Sequence, residues 1–379
     1  MSRAGEPWWE LVLPAPADQQ DALVVRLIGP GLAEATRAGE VSEGLFLREP
    51  GPLARSRLIV QARGPADGAA AALRRLAALT GGTPGGAVRT AAVVPLSGSA
   101  FAGPALGPLT RGFLAAVTPT LVSLTPGNAP GRSTPSRPAR TPGRSTPGRS
   151  TLSRSTLSQS TLSRPAPSRS ARLAGALDLL AAHLPALGAP AAPGAAQVTG
   201  LLGGAPLSFL SFRSHAEAFI ATSRDPEAAR RALDERFEAV RRPVELRVAA
   251  VLDQLRGAGP AVSKPAAQWH AAVRAAKPLV LAQIAGGGLT VHDEAGDPAA
   301  FSASSFHTVA GASAPLQEFL HSDPAFLAVR LLTSLLYLSL HHLGLSLAER
   351  YFLCHATARA CESVFGVDAV DVLAGLSRA

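Results

Sequence analysis

Apolar and polar positions follow two different rhythms along this chain. Up to residue 124, short apolar runs bounded by Gly and Pro alternate with stretches of helical period. Residues 8–13 read as a strand. Residues 18–37 read as a helix that Gly29-Pro30-Gly31 interrupts or kinks. Residues 44–48 are a short strand, and Glu49-Pro50-Gly51-Pro52 signals a turn. In residues 55–63, apolar Leu58 and Val60 alternate with polar neighbours, as in a half-buried strand. Residues 66–79 form an Ala/Leu/Arg helix and 87–96 a further strand. The order β-α-β-β-α-β is that of a ferredoxin-like unit. Residues 110–124 predict another helix.

From residue 173 onward the period is mostly helical. Helices are predicted over 173–184, 215–222, 226–242, 243–256 and 269–284. The last is ended by Gly286-Gly287-Gly288, with 289–292 as a strand edge. Asp225-Pro226-Glu227 is a helix start. Asp323-Pro324 opens the first of two terminal helices and Gly344 closes it. Ser346-Leu-Ala-Glu349 is a capping box opening the second. The fold class is therefore α+β: a ferredoxin-like part over 1–124, an insertion over 125–172 and a mainly helical part over 173–379.

The two terminal helices carry polar groups at helical spacing. On the first, Arg330, Ser334, Tyr337 and His341 fall within a sector of roughly 60°. On the second, Tyr351, His355 and Glu362 form a similar stripe. Polar groups on an otherwise apolar face must meet partners, water or substrate. For a single residue a structural role is an equal reading: Ser334 bonding back to its own helix, Tyr337 meeting a buried carbonyl, Tyr351 and His355 packing between helices. The four residues of the first stripe together favour a pocket.

Composition removes several function classes. The net charge of +9 over 379 residues suggests a nucleic-acid or membrane binder. Nine arginines, and no Lys, Asp or Glu, lie between Thr125 and Arg172, in a tract that repeats every five residues from Arg144 (RSTPG, RSTLS, RSTLS, QSTLS). Without them 27 basic residues face 27 acidic ones, so no nucleic-acid partner is expected. The tract lacks apolar periodicity and reads as a disordered insertion; a docking arm for an acidic partner is the other reading. The apolar stretch 326–345 is broken by Arg330, Tyr337, His341 and His342, which argues against a membrane span. No signal-peptide core precedes it, so a reduced cytoplasmic location is expected. Cys354 and Cys361, seven apart on one predicted helix, stand about 10 Å apart, too far for a disulfide.

The motif search yields no metal or cofactor site: Gly286-Gly287-Gly288 lacks the Lys-Ser/Thr of a phosphate loop, and no nucleophile elbow or zinc pattern is present. Arg55 and Arg57 share a strand face beside Arg48, either as a solvated face or as a cationic rim for a peptide or carboxylate. His215 is a further candidate, whereas His270, His292, His307 and His321 read as surface or loop residues.

The segment LFLREPGPLARSRLIVQAR (45–63) resembles the opening of the stand-alone C-terminal-type domains of lantibiotic dehydratases. The tail HSDPAFLAVRLLTSLLYLSLHHLGLSLAERYFLCHATARA (321–360) resembles the thiopeptide members that build the central pyridine. Glutamate-eliminating members usually carry His-Leu-Arg-Leu-Arg on a strand. Here Ala54 replaces the histidine, while Arg55 and Arg57 remain. Their His-Met-His-x-Asn-Arg run is also missing: residues 338–345 read Leu-Ser-Leu-His-His-Leu-Gly-Leu. The resemblance thus implies a cofactor-free [4+2] aza-cycloaddition between two dehydroalanines of a ribosomal precursor peptide, with loss of water and of the leader. In that implied reaction Tyr337 donates to the amide oxygen or to the departing hydroxyl, His341 or His355 serves as acid/base, Tyr351 is a further catalytic candidate, and Ser334 and Arg330 orient. Arg48, Arg55, Arg57 and His215 would bind substrate. Two other readings stay open: a lyase eliminating glutamate from glutamylated Ser/Thr, with Arg55 and Arg57 on the leaving carboxylate, and a non-catalytic leader-binding subunit using a sheet edge. A homodimer stays open, since the sequence does not set the oligomeric state.

Overall fold

In the computed structural model, residues 6–49, 56–80, 88–91, 100–125, 169–187, 202, 204–291 and 301–377 are described. The tract 126–168, Arg55 and His292 lie outside them, as does most of the strand expected over 87–96. Three seven-residue strands, β1 (Trp8–Pro14), β2 (Glu43–Glu49) and β3 (Arg57–Arg63), and the two-residue β4 (Arg89–Thr90) form one sheet. Its order is β2-β3-β1-β4 and every pairing is antiparallel. With α1 (Ala17–Leu23) and α2 (Gly29–Arg37) between β1 and β2, and α3 (Ala66–Leu79) between β3 and β4, this is the ferredoxin-like unit.

Gly29-Pro30-Gly31 does not stop the first helix. A π-helical turn, Val24–Ile28, widens the backbone immediately before it. Pro30 lacks an N–H and its ring crowds the carbonyl four residues back, and the wider turn relieves both.

β3 differs from the half-buried strand expected. One sheet face, with Leu11, Leu13, Phe46, Leu58 and Val60, packs with Val24, Ile28, Leu32 and Leu73 of the unit's own helices. The other face is covered too. Leu45 and Leu47 pack with Ile59, with Leu114 of α4 (Leu106–Leu124) and with Leu338 of α12 (Pro324–His342). Polar residues on that face are paired: Gln61 Nε2 donates to Glu10 at 3.1 Å and Arg89 Nε donates to the same carboxylate at 2.7 Å.

The rest is helical. α5 (Arg169–Ala186) begins inside the stretch read as insertion. α6 (Phe209–Ala221), α7 (Pro226–Glu238), α8 (Arg241–Arg256) and α9 (Lys264–Ala285) follow. The break between α7 and α8 falls at Ala239–Val240, before the expected one. Pro243 would clash with the Ala239 carbonyl in a continuous helix. β5 (Phe101–Ala102) and β6 (Thr290–Val291) pair, which gives the strand edge expected near 290 a partner. The C-terminal run is α10 (Ser305–Ala312), α11 (Ala314–Ser322), α12, α13 (Leu347–Phe365) and α14 (Ala369–Leu376). Asp323 caps α12 by accepting the Phe326 N–H at 2.7 Å, and the Ser346–Glu349 box opens α13. Among the described residues α12 alone is long and apolar enough to cross a membrane; it packs against α4, α9, α11 and β2.

α13 lies against α5, α6 and α8. Trp269 of α9 is fully buried, edge-on to Phe113 of α4, and donates its indole N–H to His183 Nδ1 of α5 at 3.4 Å. His183 Nε2–H then donates to Thr333 on α12 at 3.3 Å, so the imidazole is neutral with both nitrogens engaged.

Burial holds the His183 pKa down, to about 3. Its folded pKa lies below the unfolded value, so the unfolded chain binds the extra proton first. Stability is therefore expected to fall as pH drops below about 6.5, at up to about 1.4 kcal/mol per unit per such group, down to the folded pKa. Denaturant midpoints measured between pH 7 and pH 4 check this.

One knot joins the two parts of the chain. Asp21 of α1 accepts Arg48 Nη2 from β2 at 2.7 Å and also pairs with Arg172 of α5. Arg172 Nη1 in turn donates to the Gly344 carbonyl at 2.9 Å in the α12–α13 turn. Gly344 has φ +87°, and an added Cβ would stand 2.8 Å from Arg172 Nη1. Gly366, which ends α13 at φ +65°, has open space around the same position. Gly366→Ala is expected to cost about 1 kcal/mol from backbone alone. Gly344→Ala should cost more in the same denaturation assay, because the Arg172 bridge must also move.

Candidate active site

Arg330, Ser334, Tyr337 and His341 do share a face of α12, yet they do not share a pocket. The eleven helical steps from Arg330 to His341 span roughly 16 Å, so the two ends of the stripe meet different neighbours. Arg330 Nη1 donates to the Leu320 carbonyl at the end of α11, at 3.4 Å. Ser334 Oγ donates back to the Arg330 carbonyl at 3.0 Å. His341 Nε2 donates to the Arg48 carbonyl at 3.1 Å. Of the four, Tyr337 is the one that touches the groups of α6 and α13 directly, while Arg330 acts on His215 through its charge.

His341 works with its neighbour His342. Arg48 N–H donates to His342 Nδ1 at 3.1 Å, and Arg48 Nε donates to the His342 carbonyl at 2.6 Å. The pair thereby takes both the backbone donor and the backbone acceptor of Arg48 on edge strand β2. A peptide cannot add as a strand at that point. Arg48 itself is buried against Asp21, not on a solvent-facing rim. Burial, together with His341 and Arg48, keeps His342 neutral. Arg57 is exposed at the start of β3 beside Glu49, at 3.6 Å, on a different element from Tyr337.

Around Tyr337 three helices converge. The His215 ring of α6 stands edge-on at 4.7 Å between centroids. Cys354 Sγ–H of α13 donates to the phenolic oxygen at 3.4 Å. Arg350 Nη1, one turn earlier, donates to the Tyr337 carbonyl at 3.4 Å. Tyr351 stacks on Phe219 of α6 at 4.5 Å and closes the side. Burial raises the Tyr337 pKa well above its ordinary value, and Cys354 and Tyr351 add to it against an opposing Arg350. Burial likewise pushes the Cys354 thiol up to about 12. Both stay protonated at neutral pH.

The His215 tautomer follows from its partners. Nδ1 lies 2.7 Å from the Ser211 carbonyl, which only accepts, so Nδ1 carries the proton and Nε2 keeps its lone pair. Burial lowers the His215 pKa against that bond, and His307 and Arg330 lower it further. A neutral base thus sits beside a neutral donor.

His355 stands elsewhere. It is buried, edge-on to Phe237 at 6.2 Å between ring centroids, and its Nε2 is 3.1 Å from Asp234 of α7 without a well-aligned hydrogen bond. Burial outweighs Asp234 and takes its pKa to about 4. It contributes to the acid-lability window already given for His183.

The sequence reading missed His307, Ser304, Ser214 and Glu217. His307 is a half-buried residue of α10, not a loop residue, and its ring nitrogens reach Ser214 Oγ and Ser304 Oγ at 3.2 and 3.0 Å. The available signal was Glu217, a carboxylate on the apolar helix α6, which demands partners. A cavity of about 510 Å³ opens between α5, α8 and α9, near His270, Arg274 and Lys277, and is lined by none of the Tyr337 cluster. Among the described residues no three His, Cys, Asp or Glu side chains group as metal ligands would.

No family model and no curated protein matches the sequence. Among solved structures, the chain is similar to the crystal structure of TsrL, at 22% identity over 98% of both chains with a TM-score of 0.69. It is also similar to TbtD, the pyridine synthase from thiomuracin biosynthesis, at 19% identity over 95% of this chain and 99% of that one, with a TM-score of 0.58. The chain has the fold of these two proteins over nearly its whole length.

Proposed function

We propose that this protein is a cofactor-free cyclase that joins two dehydroalanines of a ribosomal precursor peptide into a pyridine. The reaction is a formal [4+2] aza-cycloaddition, followed by loss of water and of the leader. One dehydroalanine with its preceding amide, as the iminol, is the azadiene, and the other is the dienophile. The observation that carries this reading is the pairing of a neutral phenol donor, Tyr337, with a neutral imidazole base, His215, at 4.7 Å between rings. The shared fold with TbtD, solved as a pyridine synthase, supports it.

Tyr337 O–H donates to the amide oxygen, where negative charge develops as the iminol forms. Cys354 Sγ, 3.4 Å from the phenolic oxygen, helps to fix the Tyr337 rotamer. His215 Nε2 moves the protons of aromatisation. Arg350 adds a positive charge beside Tyr337 and Cys354. Holding two distant residues of one chain together supplies the entropic part of the rate.

The purified protein should be incubated with a precursor carrying azoles and two dehydroalanines, and the mass followed. Loss of leader plus one water is expected. Loss of glutamate alone from a glutamylated peptide would establish the lyase instead, and tight binding without mass change the leader-binding subunit.

A further inference from the structure

Beside the His215–Tyr337 pair runs a second array that the proposed reaction has not used. Glu217 is almost fully buried on α6. Arg230 holds its two oxygens at 2.7 and 2.8 Å, and Arg213 stands 3.1 Å away. These arginines outweigh the cost of burial and keep its pKa below the usual value, so it is an ionised acceptor.

Ser304 Oγ lies 3.2 Å from Glu217 Oε2. A carboxylate only accepts, so the single Ser304 proton points at it. The Ser304 lone pairs are then left for the His307 backbone N–H at 3.3 Å and for His307 Nδ1 at 3.0 Å. This places the imidazole proton on Nδ1 and the lone pair on Nε2. Ser214 Oγ, 3.2 Å from that Nε2, is the donor to it. Every donor in the chain Ser214–His307–Ser304–Glu217 points one way, toward the carboxylate. A hydroxyl, a base and a group that orients the base, each within hydrogen-bond reach of the next, form the arrangement that activates a hydroxyl.

We infer that Ser214 is a catalytic residue whose hydroxyl is polarised by His307, with Ser304 and Glu217 as the positioning residues that fix the His307 tautomer. The substrate class, a peptide amide next to a dehydroalanine, rests on the cyclase reading; the geometry does not.

In that substrate, Ser214 Oγ takes the amide N–H proton as it passes its own to His307 Nε2. The N–H electron pair becomes the C=N bond and the carbonyl π pair moves onto oxygen. The proton held by His307 returns through Ser214 to that oxygen, so the iminol forms with no net proton change. Tyr337 stabilises the oxygen meanwhile. His215 adjoins Ser214 in sequence, and His307 disfavours a proton on His215.

The test is labelling of the full-length protein with a fluorophosphonate, mapped by mass spectrometry of its peptides. Ser214 is expected to label in the native protein. Labelling should be lost in His307→Gln and weakened in Ser304→Ala, each shown folded by its denaturation midpoint. In the cyclase assay His307→Gln should lower kcat about 10²-fold with KM little changed, and should remove the acid limb of the pH–rate profile. Ser214 that stays unlabelled, or that labels equally without His307, overturns the inference whatever the cyclase assay shows. His307-dependent labelling in a protein that forms no pyridine upholds the array and overturns the cyclase reading.

Discussion

Tyr337→Phe is expected to lower kcat on a dehydroalanine-bearing precursor by about 10²–10³-fold, the usual effect of removing one donor aimed at a developing oxyanion. The substitution removes one oxygen and keeps the ring. The edge-on contact with His215 at 4.7 Å therefore survives, as does the packing against α13. On the stability side, the Cys354 thiol loses its acceptor at 3.4 Å. A thiol donates weakly, so the fold should lose no more than about 1 kcal/mol. KM should hardly change, because the donor bonds the oxygen more strongly in the transition state than in the ground state. Rapid-quench turnover with a mass readout, beside a denaturation curve, separates the effects. Full turnover in a folded Tyr337→Phe protein would remove this residue from the mechanism.

Glu217→Gln is expected to destabilise the fold by about 3 kcal/mol, the lower end of the cost of stranding a buried ion-pair partner. Gln keeps the shape and can still accept from Ser304, so the loss isolates the charge. Arg213 is nearly buried and, among the described residues, would keep only Glu362 at 3.8 Å as an ion-pair partner. Arg230 is about one-third exposed and rehydrates in part, which is why the lower end applies. The wild-type pH response has a definite sign. The folded pKa of Glu217 is depressed, so its stabilisation is present above the unfolded carboxylate pKa and is lost as pH falls through the folded value. Urea titrations at pH 7 and pH 4 check both statements: the gap between wild type and Glu217→Gln should be widest at pH 7 and shrink in acid. An unchanged midpoint at pH 7 would mean that the two arginines find other partners.

The elements were largely legible in the chain, and the site was not. Caps and turns are local, and they read correctly at Asp323-Pro324, at Ser346–Glu349 and at Gly344, where the residues concerned lie within a few positions of each other. The β-α-β-β-α-β order was legible for the same reason, because period 2 and period 3.6 are short-range signals. The covered second face of β3 was not, because α4 and α12, which cover it, begin about 50 and 270 residues later in sequence. A stripe on one helix was read as one pocket. Helix spacing fixes the direction in which side chains leave the axis, but not what stands opposite each turn. Opposite Arg330 stands the end of α11, opposite Tyr337 stand α6 and α13, and opposite His341 stands β2.

Sequence alone determined the α+β class, the helix starts and the polar stripe of α12, since each depends on neighbours in the chain. Tertiary structure decided that His215 is the imidazole beside Tyr337, that His341 and Arg48 tie helix to sheet, and that Ser214 and His307 meet across 93 residues. A hydrogen bond depends on distances of a few ångströms, and between residues so far apart in sequence only the packing of whole helices sets such distances.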